Sequence, residues 1–123
     1  MIRFYGHPTC STCRKARNWM QTRDIHAEGV NITETPPSRD SLAHILDNTD
    51  YTLRQLFNTS GQAYRDQNLK ARLPGMSRDE ALDLLASNGM LLKRPIVIDD
   101  AGRATVGFKE EQFEKVWGSG RGS

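Results

Sequence analysis

Ile2-Arg3-Phe4-Tyr5, then Pro8-Thr9-Cys10-Ser11-Thr12-Cys13-Arg14, is the stretch that decides how this chain reads. A short apolar run predicts a strand over Ile2 to Tyr5, and helical periodicity predicts a helix from about Ser11 to Thr22. Cys10 and Cys13 are the only two cysteines, and they stand at that junction. Cys10 falls just before the first helical turn, where unpaired N–H groups and the helix dipole favour an anion. A thiolate there has a lowered pKa and is the reactive form of sulfur. Cys13 lies one turn on, on an inward face with Ala16 and Met20, while Arg14, Lys15 and Arg17 point elsewhere. That asymmetry suits an accessible attacking thiol, Cys10, and a buried resolving thiol, Cys13, together a redox-active disulfide pair.

Outward from the pair, Ile25 to Ile32 reads as a second strand, interrupted at Gly29 and ended by Pro36-Pro37. The middle reads as helical, with apolar stripes at Leu42, Ile45 and Leu46 and at Leu53, Leu56 and Phe57. Asn58-Thr59-Ser60-Gly61 is a turn, Tyr64 and Leu69 belong to a short helix, and Leu73-Pro74-Gly75 is a break. Ser77-Arg78-Asp79-Glu80 is a capping box opening a helix through Ala81, Leu82 and Leu85, with Gly89 as its stop. Ile96-Val97-Ile98 and Ala104-Thr105-Val106 are strands around an Asp99-Asp100-Ala101-Gly102 turn, and Phe113, Val116 and Trp117 are the inward face of a last helix. The order is β-α-β, a helical block over about residues 36–90, then β-β-α. A CxxC beside a β-α-β unit reads as a thioredoxin-like redox motif. The expected fold is therefore α/β: a thioredoxin-like domain over residues 1–117, with a four-stranded mixed sheet and a helical insertion between its two halves. Residues 118–123, Gly-Ser-Gly-Arg-Gly-Ser, read as a flexible tail.

The 123 residues carry 17 basic and 15 acidic side chains, a net charge of +2 that gives no argument for nucleic acid. No apolar stretch approaches membrane-spanning length. No secretory signal precedes the first strand, so the expected location is cytoplasmic, where a lone CxxC is catalytic or regulatory rather than structural. Zinc needs four ligands, and His7, His26 and His44 are too widely spaced to complete a site with the cysteines, so no metal is expected. His26 and His44 read as surface residues, Trp19 and Trp117 as core or rim. His7, three residues before Cys10, reads either as a thiolate-stabilising group or as an exposed loop histidine. Thr9, Ser11 and Thr12 cap the helix or offer their N–H groups to an oxyanion beside Cys10. In the basic run around the first helix, Lys15, Arg17 and Arg23 read as a solvated face. Arg14 is singled out because it adjoins the redox loop.

Cys10-Ser11-Thr12-Cys13-Arg14-Lys15-Ala16, Phe57-Asn58-Thr59-Ser60-Gly61, Gly89-Met90-Leu91-Leu92-Lys93-Arg94-Pro95-Ile96-Val97 and Val106-Gly107-Phe108-Lys109 together resemble the arsenate reductase/Spx (ArsC) family, and within it the arsenate-reductase-like branch. The resemblance implies a thioredoxin-like fold with a helical insertion. It implies that Cys10 is the reactive cysteine, that Arg14 matches the arginine after the cysteine loop, and that Pro95 is cis, facing that loop with Arg94 near the thiolate. It implies no bound cofactor and an external thiol donor: thioredoxin, glutaredoxin or glutathione. The sequence departs from glutaredoxin-dependent arsenate reductases in two ways. Of their three oxyanion-binding arginines only Arg94 is kept, with Asn58 and Gly107 near the places of the others, and Cys13 replaces their serine. Spx proteins carry a similar CxxC as a redox switch and bind RNA polymerase. The reading is a monomeric thiol–disulfide oxidoreductase acting on a thiol/disulfide protein or a small oxyanion, with no nucleic-acid or membrane partner. The alternatives are an Spx-like regulator and an arsenate reductase using glutathione and glutaredoxin.

Overall fold

The computed structural model describes residues 1–118. Strand β1 (Ile2–Gly6) leads into helix α1 (Ser11–Thr22) and strand β2 (Glu28–Asn31). Strands β3 (Ile96–Asp99) and β4 (Ala104–Val106) follow the insertion. They form one four-stranded sheet in the order β2-β1-β3-β4. β1 pairs with β2 in parallel and with β3 antiparallel, and β3 pairs with β4 antiparallel. The mixed α/β sheet of the sequence reading is thus present, with the helical insertion between its halves.

Strand alternation makes the sheet a partition between two apolar layers. Phe4 and its cross-strand partner Val97 face a layer with Cys13, Ala16, Trp19, Met20, Phe113 and Trp117. Tyr5, Ile96 and Ile98 face the other way, against the insertion. The first layer is closed by the last helix, α6 (Glu110–Phe113), which continues as one π turn over Glu114–Gly118. Gly118 is the one residue of the expected tail among those described; 119–123 lie outside them. The second layer is roofed by α2 (Arg39–Asn48), the short helices α3 (Gln62–Asp66) and α4 (Leu69–Arg72), and α5 (Arg78–Ser87). α5 opens on the expected capping box: Ser77 Oγ accepts from Glu80 N at 3.1 Å and Glu80 Oε1 from Ser77 N at 3.2 Å.

Five local expectations change. β2 is shorter than Ile25 to Ile32, because Asp24 adopts φ 58° and Ile25 N donates to Met20 O at 2.9 Å, tying Ile25 to the end of α1. Gly29 does not interrupt the strand but pairs opposite Phe4. The strand ends before the prolines, in a turn where Asn31 Oδ1 accepts from Thr33 N at 3.0 Å and from Thr33 Oγ1 at 2.7 Å. Leu53, Leu56 and Phe57 make no α-helix: a single 3-10 turn (Arg54–Leu56) delivers Phe57 to an isolated antiparallel bridge with Leu92. Tyr64 and Leu69 lie in two helices rather than one, divided by Asn68 at φ 53°.

Gly89 does not stop α5; Asn88 does. Its lack of a side chain serves a close approach, since a Cβ at Gly89 would sit 1.9 Å from Ile32 O. Both elements are backbone and cannot yield by a rotamer change. Gly89→Ala is therefore expected to cost roughly 2–4 kcal/mol in urea unfolding. Gly29→Ala, where a Cβ would meet nothing within 4 Å, leaves stability unchanged or raises it by up to about 1 kcal/mol. Equal losses at the two positions would contradict the packing described.

Candidate functional site

The site begins where β1 runs out. Gly6 O accepts from Ile32 N at 2.9 Å, which anchors the strand end, and Cys10 N donates to His7 O at 3.1 Å, which closes the loop. Cys10 has extended backbone angles (φ −85°, ψ 115°) and is the N-cap of α1. Thr9, Ser11 and Thr12 are therefore not the cap. The Cys10 sulfur does the work of a capping oxygen, accepting from Cys13 N at 3.3 Å. Cys10 O then accepts the first helical bond, from Arg14 N at 3.1 Å.

Both cysteines are free thiols, Cys10 half-buried and Cys13 only 1% exposed. Burial opposes charge on Cys10. It is outweighed by the Cys13 thiol donating to Cys10, by the main-chain N–H groups of Cys13 and Thr12, and by the Arg94 guanidinium, so its pKa lies below the ordinary 9.0. Cys13 moves the other way. Burial and the role of donor to Cys10 push it up to about 12, against a smaller opposing pull from the His7 main-chain N–H. One sulfur is poised as the anion and the other holds its proton beside it.

The remaining sequence candidates separate cleanly. Arg94 is half-buried, and its charge reaches both sulfurs; its Nη1 also lies 4.0 Å from Met90 Sδ. The Arg94–Pro95 bond is cis, as the resemblance implies, and Pro95 O accepts from Gly107 N at 2.8 Å. Arg14 is exposed on α1, and the cation felt by Cys10 is Arg94. His7 engages Thr9, whose N–H donates to His7 Nδ1 at 3.2 Å and whose Oγ1 lies 2.8 Å from the same atom. Its contribution to the thiols comes from its main chain. Thr12 likewise acts through its N–H.

Sequence reading missed Gly6. A Cβ there would lie 2.8 Å from Phe4 Cε1, so the bare strand end makes room for the Phe4 ring, and it would meet Cys13 Sγ at an ordinary contact distance of 3.4 Å. The signal was a glycine directly after the apolar run. Among the described residues no three His, Cys, Asp or Glu side chains group to hold a metal ion.

Residues 5–116 match the model of the ArsC family. The uncharacterized protein YusI of Bacillus subtilis is 47% identical over 116 residues, spanning 94% of this chain and 98% of YusI. The global transcriptional regulator Spx of Streptococcus pyogenes is 33% identical over 113 residues, spanning 92% of this chain and 82% of Spx. Among solved structures, a possible arsenate reductase from Streptococcus mutans superposes with TM-score 0.85 at 38% identity, over 93% of this chain and 98% of that one. An ArsC family related protein from Bacteroides fragilis superposes with TM-score 0.87 at 36% identity, over 93% and 95%.

The two thiols should differ in solution. With iodoacetamide near neutral pH, mass spectrometry is expected to find Cys10 labelled well before Cys13. The alkylation rate of Cys10 should rise with pH and level off below the range of a free cysteine. Arg94→Gln should shift that rise to higher pH, because it removes a charge that favours the thiolate. Labelling of Cys13 as fast as Cys10, or an unmoved profile in the variant, would contradict the electrostatics.

Proposed function

The chain belongs to the ArsC family, and from that premise we propose that it is a thiol–disulfide oxidoreductase in which Cys10 attacks and Cys13 resolves. The observation that carries the reading is the pair's opposite proton affinity: Cys10 below its ordinary pKa at the helix N-terminus, Cys13 buried and at about 12. The Cys10 thiolate attacks one sulfur of a substrate disulfide. A Cys10–substrate S–S bond forms, the substrate's own S–S bond breaks, and the leaving thiolate takes up a proton from water. Cys10 then carries no charge and no longer accepts the Cys13 proton, so two of the causes that hold Cys13 protonated vanish. Cys13 gives its proton to water and attacks Cys10 Sγ. The second substrate sulfur leaves as a thiol and a Cys10–Cys13 disulfide remains. Two electrons have passed to the substrate, and an external dithiol or glutathione returns them. Arg94 favours the anionic sulfur in each step where Cys10 is the nucleophile or leaving group.

Arsenate reduction is the narrower reading, and two residues speak against it. Arginine binds oxyanions through a fixed fork of donors. The Asn58 amide instead lies across its own turn, where its Nδ2 would be 2.8 Å from a Cβ at Gly61. Gly107 takes φ 76° and is covered by the Lys93 stem, with Lys93 Cε 3.2 Å from where a Cβ would stand. A second reading, a redox-switched regulator docking on RNA polymerase, is supported by the likeness to Spx regulators. It uses the same sulfur chemistry with a partner in place of a substrate.

Reduced protein should cleave a protein disulfide in an assay recycled by thioredoxin or glutaredoxin. Cys10→Ser should abolish turnover. Cys13→Ser should lower it by about a hundredfold or more and accumulate a substrate adduct on Cys10, visible on non-reducing gels. Arsenate with glutathione and glutaredoxin should turn over far more slowly than with a dedicated reductase. No disulfide cleavage with any donor, together with redox-dependent binding to RNA polymerase, would establish the regulator reading instead.

A further inference from the structure

Two methionines stand exposed, and one of them touches the cation that serves the thiols. Of the four methionines, Met20 is buried and Met76 packs half-buried against the insertion, whereas Met90 is 46% exposed and Met1 73%. Met1 precedes β1, at the end of that strand away from the Cys10 loop. Met90 stands on a 3-10 turn over Gly89–Leu91. Its neighbours are buried, Gly89 against Ile32 O and Leu91 in the core, and Asn88 Oδ1 accepts from Met90 N at 3.0 Å. The turn is thus held in place with the Met90 thioether at the surface. Four residues on, Arg94 Nη1 lies 4.0 Å from Met90 Sδ. Among the described residues Arg94 is in no ion pair, and its charge reaches both Cys10 and Cys13.

A thioether is a weak acceptor, and at 4.0 Å it leaves the guanidinium free to favour an anion on Cys10. A sulfoxide carries a polar oxygen one bond out from the sulfur, and a guanidinium donating to such an oxygen makes a charge-assisted hydrogen bond. We propose that Met90 is a site of reversible sulfoxidation, and that its sulfoxide oxygen competes with the Cys10 sulfur for the Arg94 guanidinium. The oxidant is a peroxide. The Met90 sulfur attacks one peroxide oxygen, an S–O bond forms and the O–O bond breaks. The proton of the transferred hydroxyl passes to the departing hydroxide, which leaves as water. Sulfur has lost two electrons and the peroxide has gained them. The inference needs a Cys10 anion balanced by Arg94, and neither a disulfide substrate nor a polymerase partner, so it goes beyond the function proposed above.

The test oxidises the methionines while the accessible thiol is masked. Methyl methanethiosulfonate blocks it, hydrogen peroxide oxidises the methionines, and dithiothreitol then frees the thiol. Mass spectrometry should find sulfoxide on Met1 and Met90 ahead of Met76 and Met20. The midpoint of the Cys10 alkylation profile should rise by about 0.3–1 pH unit, a loss of thiolate at lower pH of roughly two- to tenfold. Methionine sulfoxide reductase should restore the original profile. Met90→Leu keeps the side-chain volume, and the same treatment should leave its profile unmoved although Met1 is still oxidised. In Arg94→Gln the treatment should add no further shift. Near-ultraviolet circular dichroism before and after treatment reports on the fold. Four results would overturn the inference: oxidation of Met90 no faster than that of Met20, an unmoved or lowered midpoint, the same rise in Met90→Leu, or an undiminished rise in Arg94→Gln.

Discussion

The main-chain N–H of Cys13, aimed at the Cys10 sulfur at 3.3 Å, is the interaction on which the site depends. It exists because α1 starts where it does. The first N–H groups of a helix have no partner within it, and a sulfur at the N-cap position is the acceptor they meet. Starting the helix one residue earlier would make Cys10 part of it and turn its side chain off the end. Packing holds the start in place. Ala16, Trp19 and Met20 lock α1 onto Phe4 and Val97, and Trp19 meets Phe113 edge-on at 5.4 Å. Trp117 Nε1 donates to the buried Thr105 Oγ1 at 3.0 Å and fixes the last helix to β4. The Cys10 loop is short and irregular, but both of its ends are set by buried apolar contacts.

In the proposed oxidoreductase reading, two thiols at opposite proton affinities within one helical turn meet a kinetic requirement. A pair that ionised together would repel, and a pair that stayed neutral would not attack. Here Cys13 keeps its proton and lends it as a hydrogen bond, which stabilises the neighbouring anion. Cys13 is buried to 1% exposure, and burial is the largest cause of its raised pKa.

The parts of this arrangement that were legible in the sequence are those set by neighbours along the chain. Helix α1 was expected over Ser11 to Thr22 and spans those residues, because its N-terminal loop and its 3.6-residue pattern are local. The Ser77 capping box and the turn before β4 were readable for the same reason. Contacts between distant segments were not. Phe57 sits in a run that looks helical, yet it extends because Leu92 offers a strand partner. Gly89 looked like a helix stop, and its role is set by Ile32, far away in sequence. At the site, the two cysteines and Arg94 were visible as residue types. The Cys10 cap, the main-chain roles of His7 and Thr12, and the exposure of Arg14 depend on where the loop closes, which no residue pattern states.

Three consecutive residues tie the cysteine site to the rest of the fold. Lys93 covers Gly107, Arg94 directs its charge at the thiols, and Pro95 O holds Gly107 N. The segment is pinned on the other side by Lys93 N donating to Leu56 O at 2.8 Å. It cannot shift at one residue without carrying the others. The guanidinium that favours the Cys10 anion is thus carried on a short segment held by main-chain bonds on both sides, to Leu56 before it and to Gly107 after it.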